Sequence, residues 1–173
     1  MSRRYMLDTD ISSFVIRGTD AALNLKVASK AGSLCMSAIT HHELLYGAKM
    51  RDSKRLEETI AALIEVVPVV EFTPEAAVEA ARIRSVLDKA GQTIGVMDAL
   101  IAANAIIEDC TLVTNNIAHF SRIDGLRIEN WVGGMKLGLA KGKWQLPPDF
   151  DEKFDSADGE VEKHMSWSFT VFE

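Results

Sequence analysis

Short apolar segments that alternate with longer helical segments are the feature of this sequence that most constrains its fold. Residues 5–7, 34–37 and 111–114 are apolar runs of strand length. Between them, apolar residues recur at the three- and four-residue spacing that is typical of helices. Strands that are separated by helices of this length pair in parallel, and a parallel sheet needs helices on both faces. We therefore predict an α/β fold with a central parallel sheet.

Capping signals predict where individual helices begin and end. Asp10 is positioned to cap a helix over residues 11–17. Thr73-Pro74-Glu75 combines a hydroxyl cap, a proline and an acid that suits the helix dipole, so we expect a helix from there to Gly91. The spacing of apolar residues predicts helices over 20–30, 39–48, 52–65 and 95–107, a helical turn near 118, and strands over 67–72 and 126–129.

The composition of the chain changes after residue 132. Residues 1–133 form the predicted domain, and Gly133-Gly134 provides a flexible joint. Residues 134–173 carry eight acids against five bases, with scattered aromatic residues that follow no sustained period. Because a segment of this composition cannot bury much apolar surface by itself, we predict an extended C-terminal tail that orders on another surface.

The charge and the apolar runs limit where this protein works and how it meets nucleic acid. The net charge is −6, so binding to nucleic acid must rest on a local patch or on metal ions. No apolar run reaches the roughly 20 residues of a membrane span, and residues 1–4 lead into the first strand without a signal peptide. Cys35 and Cys110 lie in apolar runs and are expected to be buried free thiols. These features predict a cytoplasmic protein that does not bind membranes.

Three carboxylates are predicted to lie at one edge of the sheet. Asp8 directly follows the first strand, where open parallel sheets bind their ligands. Glu43 and Asp98 lie in the first two turns of their helices, so both can point to the same edge. Acids that lie close together raise one another's pKa unless a cation neutralises them, and Mg²⁺ prefers carboxylate, water and phosphate oxygens. The pattern therefore predicts a magnesium site for phosphodiester chemistry.

Each of these acids also has an ordinary structural explanation. Asp8 and Asp10 can act as helix caps, and Glu43 can be an exposed helix residue. Asp98 can be a first-turn acid that complements the helix dipole. The segment GVMDALIAA at residues 95–103 favours a functional role, because it places one acid in an otherwise apolar helix, which is costly without a partner.

Four segments, taken together and in order, resemble the motifs of PIN-domain nucleases of the VapC toxin type. The resemblance covers the chain to about residue 132. Its motifs are MLDTD at residues 6–10, SAITHHELLYG at 37–47, GVMDALIA at 95–102, and VTNN at 113–116 with HF at 119–120 and LRIENW at 126–131.

This resemblance implies a three-layer α/β/α fold and metal-dependent cleavage of RNA, with tRNA or another structured RNA as the substrate. The family's catalytic acids carry over to Asp8, Glu43 and Asp98, and Asp8 and Asp98 are the expected ligands of Mg²⁺ or Mn²⁺. The resemblance also implies a homodimer and an antitoxin partner. The protein would bind DNA only indirectly, through that antitoxin.

Two positions depart from the family pattern. Asp10 stands where Asn or Ser is common and adds a negative charge. Asn116 stands where many members have Asp, so the resemblance implies one firmly bound metal ion rather than two. Thr9, Thr114 and Asn115 are expected as secondary site residues, the two hydroxyls by holding water or phosphate.

Histidines and basic residues lie beside these motifs. His41 and His42 suggest zinc, but adjacent helical residues point about 100° apart and do not chelate one ion together. A basic rim for RNA phosphates, or alternatively a solvated helix face, is predicted for Arg17, Lys49, Arg51, Lys54 and Arg55.

The tail resembles the C-terminal end of Phd-type antitoxins, through LGLAKGKW at residues 137–144 and LPPDFD at 146–151. This resemblance implies that residues 134–173 are an antitoxin-like peptide that inhibits the domain within the same chain. The alternative is an extension that serves no such role. Lysines that reach the carboxylates and aromatic anchors in apolar grooves are predicted at Lys141, Lys143, Trp144 and Phe150.

Two other functions are compatible with the sequence. One is a non-catalytic PIN-like module that binds RNA or protein, which Asn116 and the net acidity motivate. The other is a nuclease for DNA flaps that uses the same metal chemistry. Saturable binding of Mn²⁺ separates the non-catalytic module from both nucleases.

Overall fold

The computed structural model describes residues 4–132, which form a five-stranded parallel sheet. In the order of the sheet, β3-β2-β1-β4-β5, every neighbouring pair is parallel. β1 is the central strand, and its last residue, Leu7, pairs with Met36 and Val113. The residue that follows, Asp8, therefore lies at the middle of the carboxyl edge of the sheet. The strands are β1 (Arg4–Leu7), β2 (Leu34–Ser37), β3 (Val69–Val70), β4 (Cys110–Val113) and β5 (Arg127–Glu129).

Helices connect these strands within the described range. They are α1 (Thr9–Arg17), α2 (Ala21–Ser29), α3 (Ala38–Met50), α4 (Lys54–Val66), α5 (Pro74–Lys89), α6 (Val96–Ile107) and α7 (Ile117–Phe120).

Alternate residues of each strand face opposite layers of helices. Tyr5 and Leu7 of β1 pack in one core with residues of α1 to α4. Met6, between them, packs in a second core with residues of α5, α6 and α7. Because helices cover both faces of the parallel sheet, the predicted α/β/α fold class is confirmed.

The first helix begins two residues earlier than predicted. α1 starts at Thr9, and Asp8 is its N-cap, with Oδ1 accepting a hydrogen bond of 2.7 Å from the Thr9 N–H. The prediction that Asp10 caps this helix is therefore wrong, and Asp10 lies in the first turn. The reason is that β1 passes directly into α1, so the acid that ends the strand also begins the helix.

Two further boundaries differ from the predictions. β3 has only two residues rather than the span 67–72, because Pro68 lacks the N–H that a continuous ladder requires. α4 begins at Lys54 after the N-cap Ser53, because Asp52 has a positive φ of 50° that interrupts the helical backbone. The remaining predicted boundaries agree with the structure to within two residues.

The two cysteines are buried free thiols, as predicted. Their sulfur atoms lie 3.7 Å apart, and the contact with Cys110 together with burial raises the pKa of the Cys35 thiol. Among residues 4–132, no helix is long and apolar enough to cross a membrane.

A buried asparagine fixes the helix that carries Asp98. Asn104 of α6 accepts a hydrogen bond of 2.6 Å from Ser37 Oγ and donates one of 3.0 Å to the carbonyl of Glu71. Ser37 is also the N-cap of α3, which carries Glu43. The contact therefore links the C-terminal half of α6 to the start of α3, and both helices contribute acids to the same edge of the sheet.

Replacement of Asn104 should lower stability. We expect Asn104→Ala to reduce the free energy of unfolding by about 1–3 kcal/mol, because the buried Ser37 hydroxyl and the partly buried Glu71 carbonyl lose their partner. Urea unfolding followed by circular dichroism measures the change. Gln92→Ala, at an exposed loop position, is the control and should stay within about 0.5 kcal/mol of the parent. Equal stability of the Asn104 variant and the control would contradict the assignment.

Candidate active site

A cleft at the carboxyl edge of the sheet brings together the acids that the sequence predicts. The junction of β1 with α1, the inner face of α1, the second turn of α3, the first turn of α6 and the loop after β4 contribute to it. The three predicted catalytic acids line this cleft from three separate elements. Its lining residues are Asp8, Thr9, Asp10, Ser13, Arg17, Glu43, Asp98 and Asn116.

Asp8 is the most buried acid of the cleft, with 5% of its surface exposed. Its Oδ1 accepts from the Thr9 N–H, and its Oδ2 accepts a hydrogen bond of 2.7 Å from Thr114 Oγ1. Burial raises the pKa of Asp8 to about 7. The charges of Asp10 and Asp98 also raise this pKa, whereas the two hydrogen bonds lower it. The carboxylate is thus held in place in surroundings that disfavour its charge.

Asp10 is the second acid of the strand-to-helix junction. Its Oδ1 accepts from the Ile11 N–H at 2.6 Å, and its Oδ2 accepts from the Asn115 N–H at 3.3 Å. Burial raises the pKa of Asp10, as it does that of Asp8, and the charge of Asp98 adds to the effect. The junction therefore concentrates negative charge that a cation would stabilise.

Glu43 lies in the second turn of α3 and reaches across to α1. Its Oε2 accepts a hydrogen bond of 2.5 Å from Thr9 Oγ1. Thr9 and Thr114, which the sequence suggested as holders of water or phosphate, each donate their hydroxyl hydrogen to a carboxylate. Both threonines therefore orient acids in this structure.

Asp98 lies in the first turn of α6, next to a glycine. Gly95 is the N-cap of α6, and a Cβ atom at this position would lie 3.3 Å from Asp98 Oδ2. The same Oδ2 lies 3.3 Å from Nδ1 of His119. The absence of a side chain at position 95 thus leaves room for the Asp98 carboxylate beside the helix start.

The two asparagines of the loop after β4, Asn115 and Asn116, make different contacts. Asn116 lines the cleft, and its Nδ2 lies 2.8 Å from Nδ1 of His119. The side-chain oxygen of Asn115 accepts a hydrogen bond from Asn130, so its side chain is engaged with the end of the domain. Only the backbone N–H of Asn115 contacts a cleft acid, which is Asp10.

Sequence reasoning missed two side chains of this region. Ser13 lines the cleft because it lies one helical turn after Thr9, and that four-residue spacing was a usable signal. His119 follows Asn116 by three residues, a spacing that brings side chains together on a helical turn. The sequence motif included His119, but without a role for its ring.

The predicted basic rim is largely absent from the cleft. Among the predicted members of this rim, Arg17 lines the cleft. Lys49 pairs with Glu57 at 2.9 Å, and Arg51 donates to the carbonyl of Gly47. These contacts lie along α3 and α4, where the alternative of a solvated helix face fits better.

The two histidines that the sequence suggested as metal ligands are not at the cleft. The ring of His42 stacks on Tyr46, with centroids 6.3 Å apart, and neither His41 nor His42 lines the cleft. The tail, residues 134–173, lies outside the described residues. So do its predicted contacts Lys141, Lys143, Trp144 and Phe150.

The donor set of the cleft suits a hard divalent cation. In the described part of the chain, no three His, Cys, Asp or Glu side chains are arranged as a complete metal cage. Mg²⁺ does not need one, since it commonly takes one or two carboxylates and completes its shell with water and phosphate oxygens. Asp8 and Asp98 are close enough for the charge of Asp98 to raise the pKa of Asp8, and a cation between them would relieve that repulsion.

Comparison with protein families identifies one match. Residues 5–126 match the family model described as the PIN domain. These residues include β1 through α7 and all three acids that line the cleft.

Relatives of known activity match over nearly their whole length. Ribonuclease VapC2 of Haemophilus influenzae is 37% identical over 132 residues, which cover 75% of this chain and 98% of that protein. The tRNA(fMet)-specific endonuclease VapC of Shigella flexneri is 33% identical over 129 residues, which cover 74% of this chain and 98% of that protein. About a quarter of this chain therefore has no counterpart in these relatives.

Solved structures of toxin–antitoxin complexes share the fold. VapBC2 from Rickettsia felis, bound to a DNA fragment from its promoter, matches with a TM-score of 0.67 and 32% identity over 73% of this chain and 98% of that one. DNA-bound VapBC from Salmonella typhimurium matches with a TM-score of 0.67 and 32% identity over 75% of this chain and 99% of that one.

The raised pKa of Asp8 makes stability depend on pH. Between the ordinary value of 3.8 and the folded value of about 7, the folded state keeps a proton that the unfolded state has lost. Stability from this group is therefore lost as the pH rises through that range. With a chelator present, we expect Asp8→Asn to gain about 2–3 kcal/mol relative to the parent between pH 5 and pH 8.

Urea unfolding at a series of pH values measures this gain. The exposed Asp88→Asn provides the matched control, and its difference from the parent should stay constant with pH. Parallel pH profiles for the parent and Asp8→Asn would show that Asp8 ionises as an ordinary acid.

Proposed function

This chain belongs to the PIN-domain family, and we propose that it is a VapC-type endoribonuclease toxin whose cleft holds a divalent metal ion. The observation that carries the proposal is the convergence of Asp8, Glu43 and Asp98 in one cleft from three separate elements. A non-catalytic module would have no need for this arrangement, since packed acids cost stability. The relatives named as ribonucleases support catalysis as well.

Asp8 and Asp98 are the proposed metal ligands. Their oxygen donors favour Mg²⁺, with Mn²⁺ as its usual substitute. Thr114 fixes one oxygen of Asp8. Because Asn116 adds an amide rather than a charge, we propose one firmly bound ion, and Asp10 supplies additional negative potential nearby.

The proposed chemistry is hydrolysis of an RNA phosphodiester bond. A divalent ion at this site would lower the pKa of a water molecule and stabilise charge on the phosphate. Glu43 is the proposed general base, because Thr9 holds its Oε2 and leaves the other oxygen to accept a proton. Arg17, which lines the cleft, can contact an RNA phosphate.

We propose tRNA, or another structured RNA, as the substrate. One relative is named as an endonuclease specific for tRNA(fMet). The net charge of −6 is consistent with a site that recruits RNA through its metal ion and a local cation rather than through a global field. A DNA-flap nuclease has no comparable support among the named relatives.

The proposed partners are an antitoxin and a second copy of this chain. The matching solved structures are toxin–antitoxin complexes, and two of them hold DNA. We propose that this chain meets DNA only through an antitoxin, and that it acts as a homodimer in the cytoplasm. The free thiols Cys35 and Cys110 are consistent with a reducing compartment.

The tail is a further proposed inhibitor within the chain. About a quarter of the chain has no counterpart in the relatives, and residues 134–173 carry the antitoxin-like segments. A tethered peptide acts at an effective concentration on the order of millimolar, so even weak docking would block the cleft. Lys141 and Lys143 provide positive charge that complements the acids, and Trp144 and Phe150 provide apolar anchors.

Replacement of the cleft acids should abolish cleavage without unfolding the protein. We expect Asp8→Asn, Glu43→Gln and Asp98→Asn to lower Mn²⁺-dependent cleavage of tRNA by at least about 100-fold, because each removes a ligand or a proton acceptor. The assay uses chains truncated after residue 133 alongside full chains, with EDTA as the metal-free control. Asp88→Asn should keep full activity. Unchanged cleavage in both the Asp8 and Asp98 variants would exclude this site.

Removal of the tail should raise activity. We expect truncation after residue 133 to increase the rate of RNA cleavage by at least about 10-fold, since docking at millimolar effective concentration keeps most molecules blocked. Full-length Lys141→Glu/Lys143→Glu should show a similar increase if charge complementarity drives docking. A full chain that cleaves as fast as the truncated one would remove the proposed inhibition.

A further inference from the structure

A series of hydrogen bonds joins the two proposed metal ligands across the cleft. Thr114 Oγ1 donates to Asp8 Oδ2 at 2.7 Å and accepts from the backbone N–H of Asn116 at 3.0 Å. The side chain of Asn116 then contacts Nδ1 of His119 at 2.8 Å, and this nitrogen lies 3.3 Å from Asp98 Oδ2. The loop after β4 therefore connects Asp8 to Asp98 through its own side chains.

His119 occupies the step of this series next to Asp98. It lies on the short helix α7, and half of its side chain is exposed, at 51%, while 30% of Asp98 is exposed. Among the contacts found in residues 4–132, Nδ1 of His119 makes the side-chain hydrogen bond to the Asp98 carboxylate. Gly95 also lies next to this oxygen but provides no side-chain donor.

The chemistry of the imidazole ring determines which hydrogen bond forms. An unprotonated Nδ1 would direct its lone pair at the Asp98 carboxylate, which is repulsive. With its hydrogen on Nδ1, the ring donates to Asp98 Oδ2. If the side-chain amide of Asn116 rotates by 180°, its oxygen rather than its nitrogen faces the same hydrogen. A hydrogen bond from the ring to the Asp98 carboxylate therefore requires the Nδ1–H tautomer.

We propose that His119 is a positioning residue that orients Asp98 toward the metal ion. The donated hydrogen occupies Oδ2 and leaves the other carboxylate oxygen for the cation. This inference rests on the metal site proposed above, and it adds a residue that acts through Asp98 rather than on the RNA. Partners of this kind, which hold a metal ligand in place, commonly contribute 10- to 100-fold to affinity for the ion.

Three substitutions separate positioning from bulk structure. Asn places its amide nitrogen near the location of Nδ1, whereas Gln reaches that of Nε2. We therefore expect His119→Ala and His119→Gln to weaken Mn²⁺ binding by about 10-fold or more, and His119→Asn to retain most of the affinity. Because His119 is half exposed, all three should unfold at nearly the urea concentration of the parent.

Calorimetric titration of the full chain with Mn²⁺ measures these affinities, with Asp98→Asn as the control for a lost ligand. RNA cleavage by His119→Ala should recover toward the parent rate at saturating Mn²⁺, which a group acting directly on the RNA would not allow. Equal Mn²⁺ affinity in the parent and His119→Ala would overturn the proposal, as would a His119→Asn variant as weak as His119→Ala.

A metal-free readout distinguishes this proposal from the proposed function. Nitrogen-15 NMR of the full chain without metal should show His119 as the Nδ1–H tautomer, and Asp98→Asn should shift the ring toward Nε2–H. A dominant Nε2–H tautomer in the parent overturns the positioning role, even if the chain binds Mn²⁺ and cleaves RNA. If the parent has the Nδ1–H tautomer but binds no Mn²⁺, the metal site is overturned, and the positioning role of His119 toward a metal ion is overturned with it.

Discussion

The strand-to-helix junction at Asp8 is the constraint on which the rest of the site depends. Asp8 ends the central strand, caps α1 with one oxygen and receives the Thr114 hydroxyl on the other. These hydrogen bonds hold the carboxylate where burial disfavours its charge and raises its pKa to about 7. The fold therefore accepts a cost at this position that a bound cation would offset. The same backbone hydrogen bond that begins a helix also aims an acid into the cleft.

The surrounding acids are held by groups from other elements, which makes the cleft a product of the whole fold. Thr9 of α1 orients Glu43 of α3, while Asn104 ties the helix that carries Asp98 to the N-cap of α3. Because the parallel sheet places the starts of these helices at one edge, residues that are distant in the chain become neighbours. Loss of one of these contacts is expected to move an acid as well as to lower stability.

Much of this arrangement was predictable from the sequence, and the failures have physical reasons. Apolar periodicity predicted the layers, and Asp8 followed from its place after an apolar strand. The prediction of Asp10 as the cap failed because a strand can pass into a helix without a loop, and spacing alone does not show this. His119 was assigned no role, and the hydroxyls of Thr9 and Thr114 were expected to hold water or phosphate rather than to donate to acids. Hydrogen-bond partners across a cleft depend on tertiary placement, which spacing in the sequence does not show. Of the predicted basic rim, Arg17 lines the cleft, whereas Lys49 pairs with Glu57 of the neighbouring helix, as the alternative of a solvated helix face implies.

The central claim is that one divalent ion binds between Asp8 and Asp98 in the cleft. Anomalous diffraction at the manganese edge tests it most directly. The crystals are of the chain truncated after residue 133 and soaked in Mn²⁺, so that the proposed inhibitor tail cannot compete for the cleft. We predict one strong peak at about 2 Å from a carboxylate oxygen of each of these residues. Strong manganese density elsewhere on the protein, with none in the cleft, would contradict the account.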